Sequence, residues 1–343
     1  MTPTLAQAWD SGRNHFHALR LFAAWLVIWS HAYAITGRGN EEPFARLTMA
    51  KSAGALAVDI FFVVSGFLVA ASVQRHPWRR FLLARALRIY PALVVCILLT
   101  VFVLGPMLTT SPGYWTDART WEYLWGNATL WRAEYWLPGV FEGLPRDAVN
   151  GSLWTLPIEV RLYVALLVAA VFGMLHRWRY LVAWALAIAG VSAYALRAAP
   201  LPEHIAYLAW ACAFFITGTL LWVWRDRVRL SWWVFAALLA LAAAFRGSTA
   251  FAVAYFAAVA YGTFCIAFRA RLPAIRRTDL SYGVYLYGWP MQQLALLAGA
   301  TTVLANTALA TAMALGCAVL SWFLVERPAL AWVRGRAVTP GSA

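Results

Sequence analysis

The sequence predicts an all-α fold: a polytopic integral membrane bundle of about ten transmembrane helices with both termini cytoplasmic. Three observations predict it. Hydrophobic residues make up 63% of the chain and charged residues only 12%; mean hydropathy is +0.65; and the apolar residues gather into membrane-length runs whose connections alternate in basicity. A soluble core cannot absorb that much apolar surface. The net charge of +14 and pI near 10.2 would suggest nucleic acid in a soluble protein; here they reflect where arginine sits relative to the bilayer, and no nucleic-acid partner is expected.

The runs fall at about 17–36, 52–74, 81–104, 155–175, 180–197, 204–223, 231–246, 249–268, 280–300 and 302–325, near the length a tilted helix needs. A polar leader without a small-residue cleavage site precedes the first, which is therefore expected to remain in the mature protein. Basic connections follow every second span: Arg75, Arg79 and Arg80, then Arg177 and Arg179, then Arg225, Arg227 and Arg229, then Arg269, Arg271, Arg276 and Arg277, and finally Arg327, Arg334 and Arg336. With the N-terminus on the same side, that face holds 19 of the 28 basic residues and 4 of the 14 acids, which makes it cytoplasmic. The segment 105–154 is then outside. Its Trp121, Tyr123, Trp125, Trp131, Tyr135 and Trp136 suit an interfacial aromatic belt or a surface on which sugars stack. Cys96, Cys212, Cys265 and Cys317 stand singly in apolar runs, so they read as packing residues and no metal site is expected. One integral domain, 1–336, with a short cytoplasmic tail, 337–343, accounts for the chain.

Polar residues inside these runs carry the chemistry. Arg20 and His31 lie eleven residues apart in the first span, three helical turns plus roughly 20°, so they share a face about 16 Å apart along the axis. Ionisable groups at such depth turn to a bundle interior or a watery cavity. Asp59 in GALAVDIFFVVSGFLVA enters the second span at a depth where it could meet His31; a carboxylate beside imidazole makes a base, and equally makes a structural interhelical pair. Arg85 and Arg88 in FLLARALRIYP stand at i and i+3, suited to phosphate or simply to anchoring at the cytoplasmic face. Glu159 in NGSLWTLPIEVRLY follows Pro157: ordinary helix-start chemistry, or an acid that binds the acceptor or assists His31. SYGVYLYGWP opens the ninth span, with Tyr285 and Tyr287 offering hydroxyls, and Glu326 beside Arg327 reads most simply as a terminal ion pair.

In order, Arg20 with ten residues before His31, VDIFFVVSGFLV, Arg85/Arg88 before RIYP, SLWTLPIE, SYGVYLY and Glu326-Arg327-Pro328 resemble the acyltransferase-3 family of integral membrane acyltransferases. That resemblance implies an acetyl-CoA or other acyl-CoA donor taken from the cytoplasm and a glycan acceptor on a cell envelope or exported polysaccharide. It also implies importance for Arg20 and His31, donor binding at Arg85 and Arg88, and a functional acid at Glu159. Many relatives carry histidine where this chain has Gly288, so that residue's role does not transfer. Some longer relatives append an esterase-like domain; here the membrane domain would modify its acceptor directly or hand the group to a separate protein. The expected setting is a bacterial inner membrane, in contact with lipid and with polysaccharide-assembly proteins. The expected reaction is acetyl transfer with His31, oriented by Asp59, as base, Arg20 joining Arg85 and Arg88 at the donor; a covalent acyl-His31 intermediate is the variant. Ser65 or Tyr285 would stabilise the oxyanion. The competing class is a transporter or lipid-linked-glycan flippase, for which intramembrane Arg, His, Asp and Glu are equally natural.

Overall fold

A computed structural model describes residues 2–195, 203–273, 275 and 278–335. Arg276, Arg277, Arg336 and the tail 337–343 lie outside the described residues, as does the end of the run expected at 180–197. The helices are α1 (Leu5–Asp10), α2 (Phe16–Ile35), α3 (Pro43–Thr48), α4 (Ala53–Arg75), α5 (Trp78–Leu99), α6 (Gly105–Leu108), α7 (Ala118–Thr129), α8 (Thr155–Val171), α9 (Arg177–Ala195), α10 (Glu203–Val223), α11 (Trp232–Ala244), α12 (Phe251–Arg269), α13 (Ser281–Leu297), α14 (Val303–Ser321) and α15 (Arg327–Gly335). Among the described residues the extended structure is a single bridge between Thr4 and Arg229.

Every expected span contains a helix, but seven, not ten, are long and apolar enough to cross a membrane among the described residues: Phe16–Ile35, Ala53–Arg75, Trp78–Leu108, Gly151–Val171, Ile205–Val223, Phe251–Arg269 and Val303–Trp332. The other three fall short for different reasons. The apolar α11 has only 13 residues before a turn at Gly247, whose φ is +79°. The 17-residue α13 carries three tyrosines, two glutamines and Pro290 and is buried along most of its length. The described part of α9 begins on Arg177 and Arg179.

The chain forms two compact units, each assembled from separated stretches: Met1–Ala23, Pro43–His76 and Arg161–Arg277 in the first, Ala24–Glu42, Pro77–Val160 and Thr278–Ala343 in the second. In the first, α4 packs on α10 and α12, α9 on α10, and α11 on α12. Its centre is the fully buried Phe67, ringed by Trp9, Phe16, Trp222, Phe264 and Phe268, large apolar area joined through edge-on contacts. Backbone polarity is met locally: Thr219 Oγ1 donates to the Gly66 carbonyl at 3.1 Å.

In the second unit α13 packs on α14 and α5, and α7 and α15 also lie on α5. Two five-residue π-helical turns, Thr100–Leu104 and Trp322–Glu326, interrupt its long helices. Such widenings occur mostly at functional positions. The second of them ends on a buried acid, Glu326.

Candidate active site

α13 is the spine of the site in the second unit. Pro290, inside it, has no N–H, so the carbonyl four residues earlier, Leu286, loses its intrahelical donor. The Asn150 side chain supplies one, Nδ2 to the Leu286 carbonyl at 2.9 Å, while its Oδ1 caps the following turn by accepting from the Ser152 N–H. Around this anchor the strap 146–152 is stitched along one face of α13. Tyr285 donates to the Ser152 carbonyl at 2.9 Å, Trp289 Nε1 to the Ala148 carbonyl at 2.8 Å, and Gln293 Nε2 to the Arg146 and Ala148 carbonyls at 2.6 and 2.8 Å. Residues 285, 289 and 293 follow at four-residue steps, which keeps them on one face.

His31 meets this spine. Its ring stands edge-on to Trp289, centroids 4.8 Å apart, and its Nδ1 is buried with no hydrogen-bond partner among the described residues. One turn before it, Ile28 is held by α13: Gln292 Nε2 donates to the Ile28 carbonyl at 2.8 Å. Gly288 lies so close that a Cβ there would meet Ile28 Cγ1 at 3.0 Å, so glycine is what lets the backbone approach this near.

Further along, the Tyr285 hydroxyl also pairs with Thr155 Oγ1 at 2.8 Å. The half-buried Glu159 lies in the first turns of α8. Tyr285 thus has its hydrogen bonds taken by the strap and by α8.

At the start of α13, Arg88 is gripped by two acids: NH2 lies 2.6 Å from Asp279 Oδ2 and NH1 3.4 Å from Glu326 Oε2. The side chains are 14%, 7% and 2% exposed, so this is a buried charge cluster in which each member depends on the others. Ser281 Oγ donates to Asp279 Oδ1 at 2.5 Å and Ser321 Oγ to Glu326 Oε1 at 3.0 Å. Glu326 thus turns to Arg88 as well. Arg85, three residues before Arg88, is half-buried.

Arg20 and Asp59 belong to the first unit. Arg20 is half-buried in α2, which runs unbroken through His31. Asp59 is 3% exposed and accepts from Trp210 Nε1 and from the Tyr255 hydroxyl, each at 2.9 Å and each on a different oxygen. These are the hydrogen bonds of a carboxylate that sequence reasoning paired with His31. Lys51, ahead of α4, has Nζ 3.9 Å from the Trp210 ring centroid. Burial lowers its pKa below the ordinary lysine value, and the Asp59 charge opposes that shift. Ser65, an expected oxyanion donor, gives its hydroxyl to Tyr163 at 3.3 Å.

Sequence reasoning missed Asp279, Lys51, Trp289, Ser152 and both glutamines. Asp279 had a signal, an acid two residues before Ser281 where a helix begins; polar residues after Trp289-Pro290 were the signal for the glutamines. Among the described residues no three His, Cys, Asp or Glu side chains are grouped to hold a metal ion.

Spans of apolar helix with an imidazole, arginines and acids buried between them define an integral membrane protein whose polar interior is built for a reaction or a passage. The profile of the family described as "Acyltransferase domain", Acyl_transf_3, matches residues 13–326, a stretch drawn from both units, and the chain belongs to that acyltransferase-3 family. It is similar to an "O-acetyl transferase" of Shigella phage Sf6, 29% identical over 326 residues, covering 92% of this chain and 95% of the relative. It is also similar to "Nodulation protein 10" of Rhizobium leguminosarum bv. viciae, 28% identical over 353 residues and covering 93% of each. No solved structure matches. The protein is an acyltransferase, with a donor and an acceptor to bind in a lipid environment.

Proposed function

We infer that the protein moves an acetyl group from cytoplasmic acetyl-CoA to a hydroxyl of a cell-envelope or exported polysaccharide in a bacterial inner membrane. The observation that carries this reading is the His31 imidazole, seated on Trp289 with Nδ1 buried and unpartnered among the described residues. A nitrogen with no protein donor is ready to accept from a substrate O–H. His31 takes that proton as the oxygen attacks the thioester carbonyl; the C–S bond breaks, and the coenzyme A thiolate leaves and takes the proton from the imidazolium.

Arg85 and Arg88, with Arg20, serve the phosphate-rich donor. The two acids on Arg88 hold its guanidinium in one orientation while offsetting its charge, so Arg85 carries the larger share of donor attraction. Glu159, in the first turns of α8, serves as the functional acid that assists His31 or binds the acceptor, and Asp59 is a buried acid fixed by Trp210 and Tyr255. The name of the phage relative supports acetyl as the group moved. Both termini cytoplasmic follows from the charge count, and polysaccharide-assembly proteins are the partners such an acceptor brings.

The experiment is coenzyme A release from acetyl-CoA by detergent-purified protein, with and without glycan acceptors. Acceptor-stimulated release that disappears in His31→Gln supports the reading. A folded protein that binds no acyl-CoA and releases no coenzyme A with any acceptor sinks the reading of acetyl-CoA as donor.

A further inference from the structure

Four polar atoms on residues tied to Trp289 by contact or by sequence are buried without a hydrogen-bond partner among the described residues: His31 Nδ1, Ser152 Oγ, Gln292 Oε1 and Gln293 Oε1. Ser152, Gln292 and Gln293 are 1%, 0% and 0% exposed. Native interiors leave few buried polar groups unmet, and each one calls for an explanation. Each is tied to Trp289. His31 stands on the Trp289 ring; Gly151, next to Ser152, lies so close to the ring's far edge that a Cβ would meet it at 2.7–2.9 Å; and Gln292 and Gln293 follow Trp289 by three and four residues on the same helix, one turn on.

The chemistry of the set is one-sided. Both amide Nε2 groups are spent, Gln292 on the Ile28 carbonyl and Asn306 Oδ1, Gln293 on two strap carbonyls. The two oxygens left over can only accept. Ser152 Oγ and His31 Nδ1 can accept as well. With both amide Nε2 groups spent, the set offers more acceptors than donors, Ser152 Oγ being able to do either, and so fits a ligand that brings several O–H groups at once.

We propose that Ser152, Gln292 and Gln293 form, with His31, the subsite for the acceptor, and that the acceptor is a pyranose presenting neighbouring hydroxyls. It rests on the transferase reading: the hydroxyl on His31 is the one acylated, and the flanking hydroxyls donate to Ser152 Oγ and the glutamine oxygens. These three residues are specificity residues, not proton carriers. A site built of buried acceptors rejects a sugar that lacks the matching hydroxyl, because its oxygens then stay unmet.

The test uses the full chain purified in detergent, with methyl α-D-glucopyranoside and methyl α-D-galactopyranoside as probes. Binding is followed by saturation-transfer NMR, and coenzyme A release from acetyl-CoA is measured with the same probes. The Ser152 hydroxyl has no hydrogen-bond partner among the described residues, so Ser152→Ala leaves the melting temperature and the KM for acetyl-CoA unchanged while glycoside binding weakens about five- to tenfold. Gln293→Met weakens glycoside binding as well, with a lower melting temperature from the lost strap bonds. Equal glycoside affinity in wild type and Ser152→Ala, or no saturable binding of either glycoside to the wild type, overturns the subsite. Ser152-dependent binding without any coenzyme A release keeps the subsite and overturns the transferase reading instead.

Discussion

Asn150 donates its side-chain amide to the Leu286 carbonyl across 136 positions of sequence, at 2.9 Å. That carbonyl is available because Pro290, four residues on, has no N–H to give it. A defect in one helix thus becomes the fastening point of a strap that carries Ser152 and leads into Glu159.

Asn150→Ala leaves a buried carbonyl unmet and removes the cap on Ser152, a loss of about 1–3 kcal/mol. Pro290→Ala returns the helical N–H to Leu286. In a double-mutant cycle read by thermal unfolding in detergent, Pro290→Ala is expected to recover part of the Asn150→Ala loss. Strictly additive losses would mean the two residues are not coupled.

His31→Gln is expected to lower acceptor-dependent coenzyme A release by about 10²–10⁴-fold, with at most a small fall in melting temperature from the lost ring contact with Trp289. Retention of more than a tenth of wild-type release would exclude His31 as the base.

Removing Arg88 strands two buried acids. Arg88→Ala is expected to cost about 3–5 kcal/mol, whereas the triple substitution Arg88→Met, Asp279→Asn, Glu326→Gln regains most of that stability and stays poor in acetyl-CoA saturation. Chemical unfolding and the KM for acetyl-CoA separate the two effects. If the triple variant is no more stable than Arg88→Ala, the cluster is not a mutual charge balance.

Gly288→His places a side chain against Ile28. Overpacking of this kind costs about 1–3 kcal/mol, and Ile28→Ala in the same chain should relieve it, as judged by melting temperature. Tolerance of histidine without Ile28→Ala would show that α13 can move away.

Lys51 has a lowered pKa in the folded protein, so between that value and the ordinary lysine value the unfolded chain binds more protons. Stability contributed by this group therefore rises with pH through that window and is lost as pH falls through it. Lys51→Met is expected to remove that rise, seen as a shallower alkaline slope in unfolding free energy than in wild type.

The helices were legible because a membrane span is a local property: length and hydropathy of a contiguous run mark Phe16–Ile35 or Ala53–Arg75 without reference to the rest of the chain. Arg20 and His31 were legible for the same reason, since one helix carries both. Seven of the expected spans meet a membrane helix's length and hydropathy among the described residues; α13, rich in tyrosines and glutamines, is the one that hydropathy and length leave open.

The sequence by itself determined the membrane class, the helix positions and, through ordered motifs, the family. Tertiary structure alone decided which charges meet. Arg88 finds Asp279 191 residues away and Glu326 238 away; the strap carbonyls find Trp289 and Gln293; and both oxygens of Asp59 find Trp210 and Tyr255. Spacing along a helix fixes which face a side chain shares. The partner on the facing element depends on how distant segments pack, and inside a membrane protein, where an unmet polar group is costly, that packing selects the pairs.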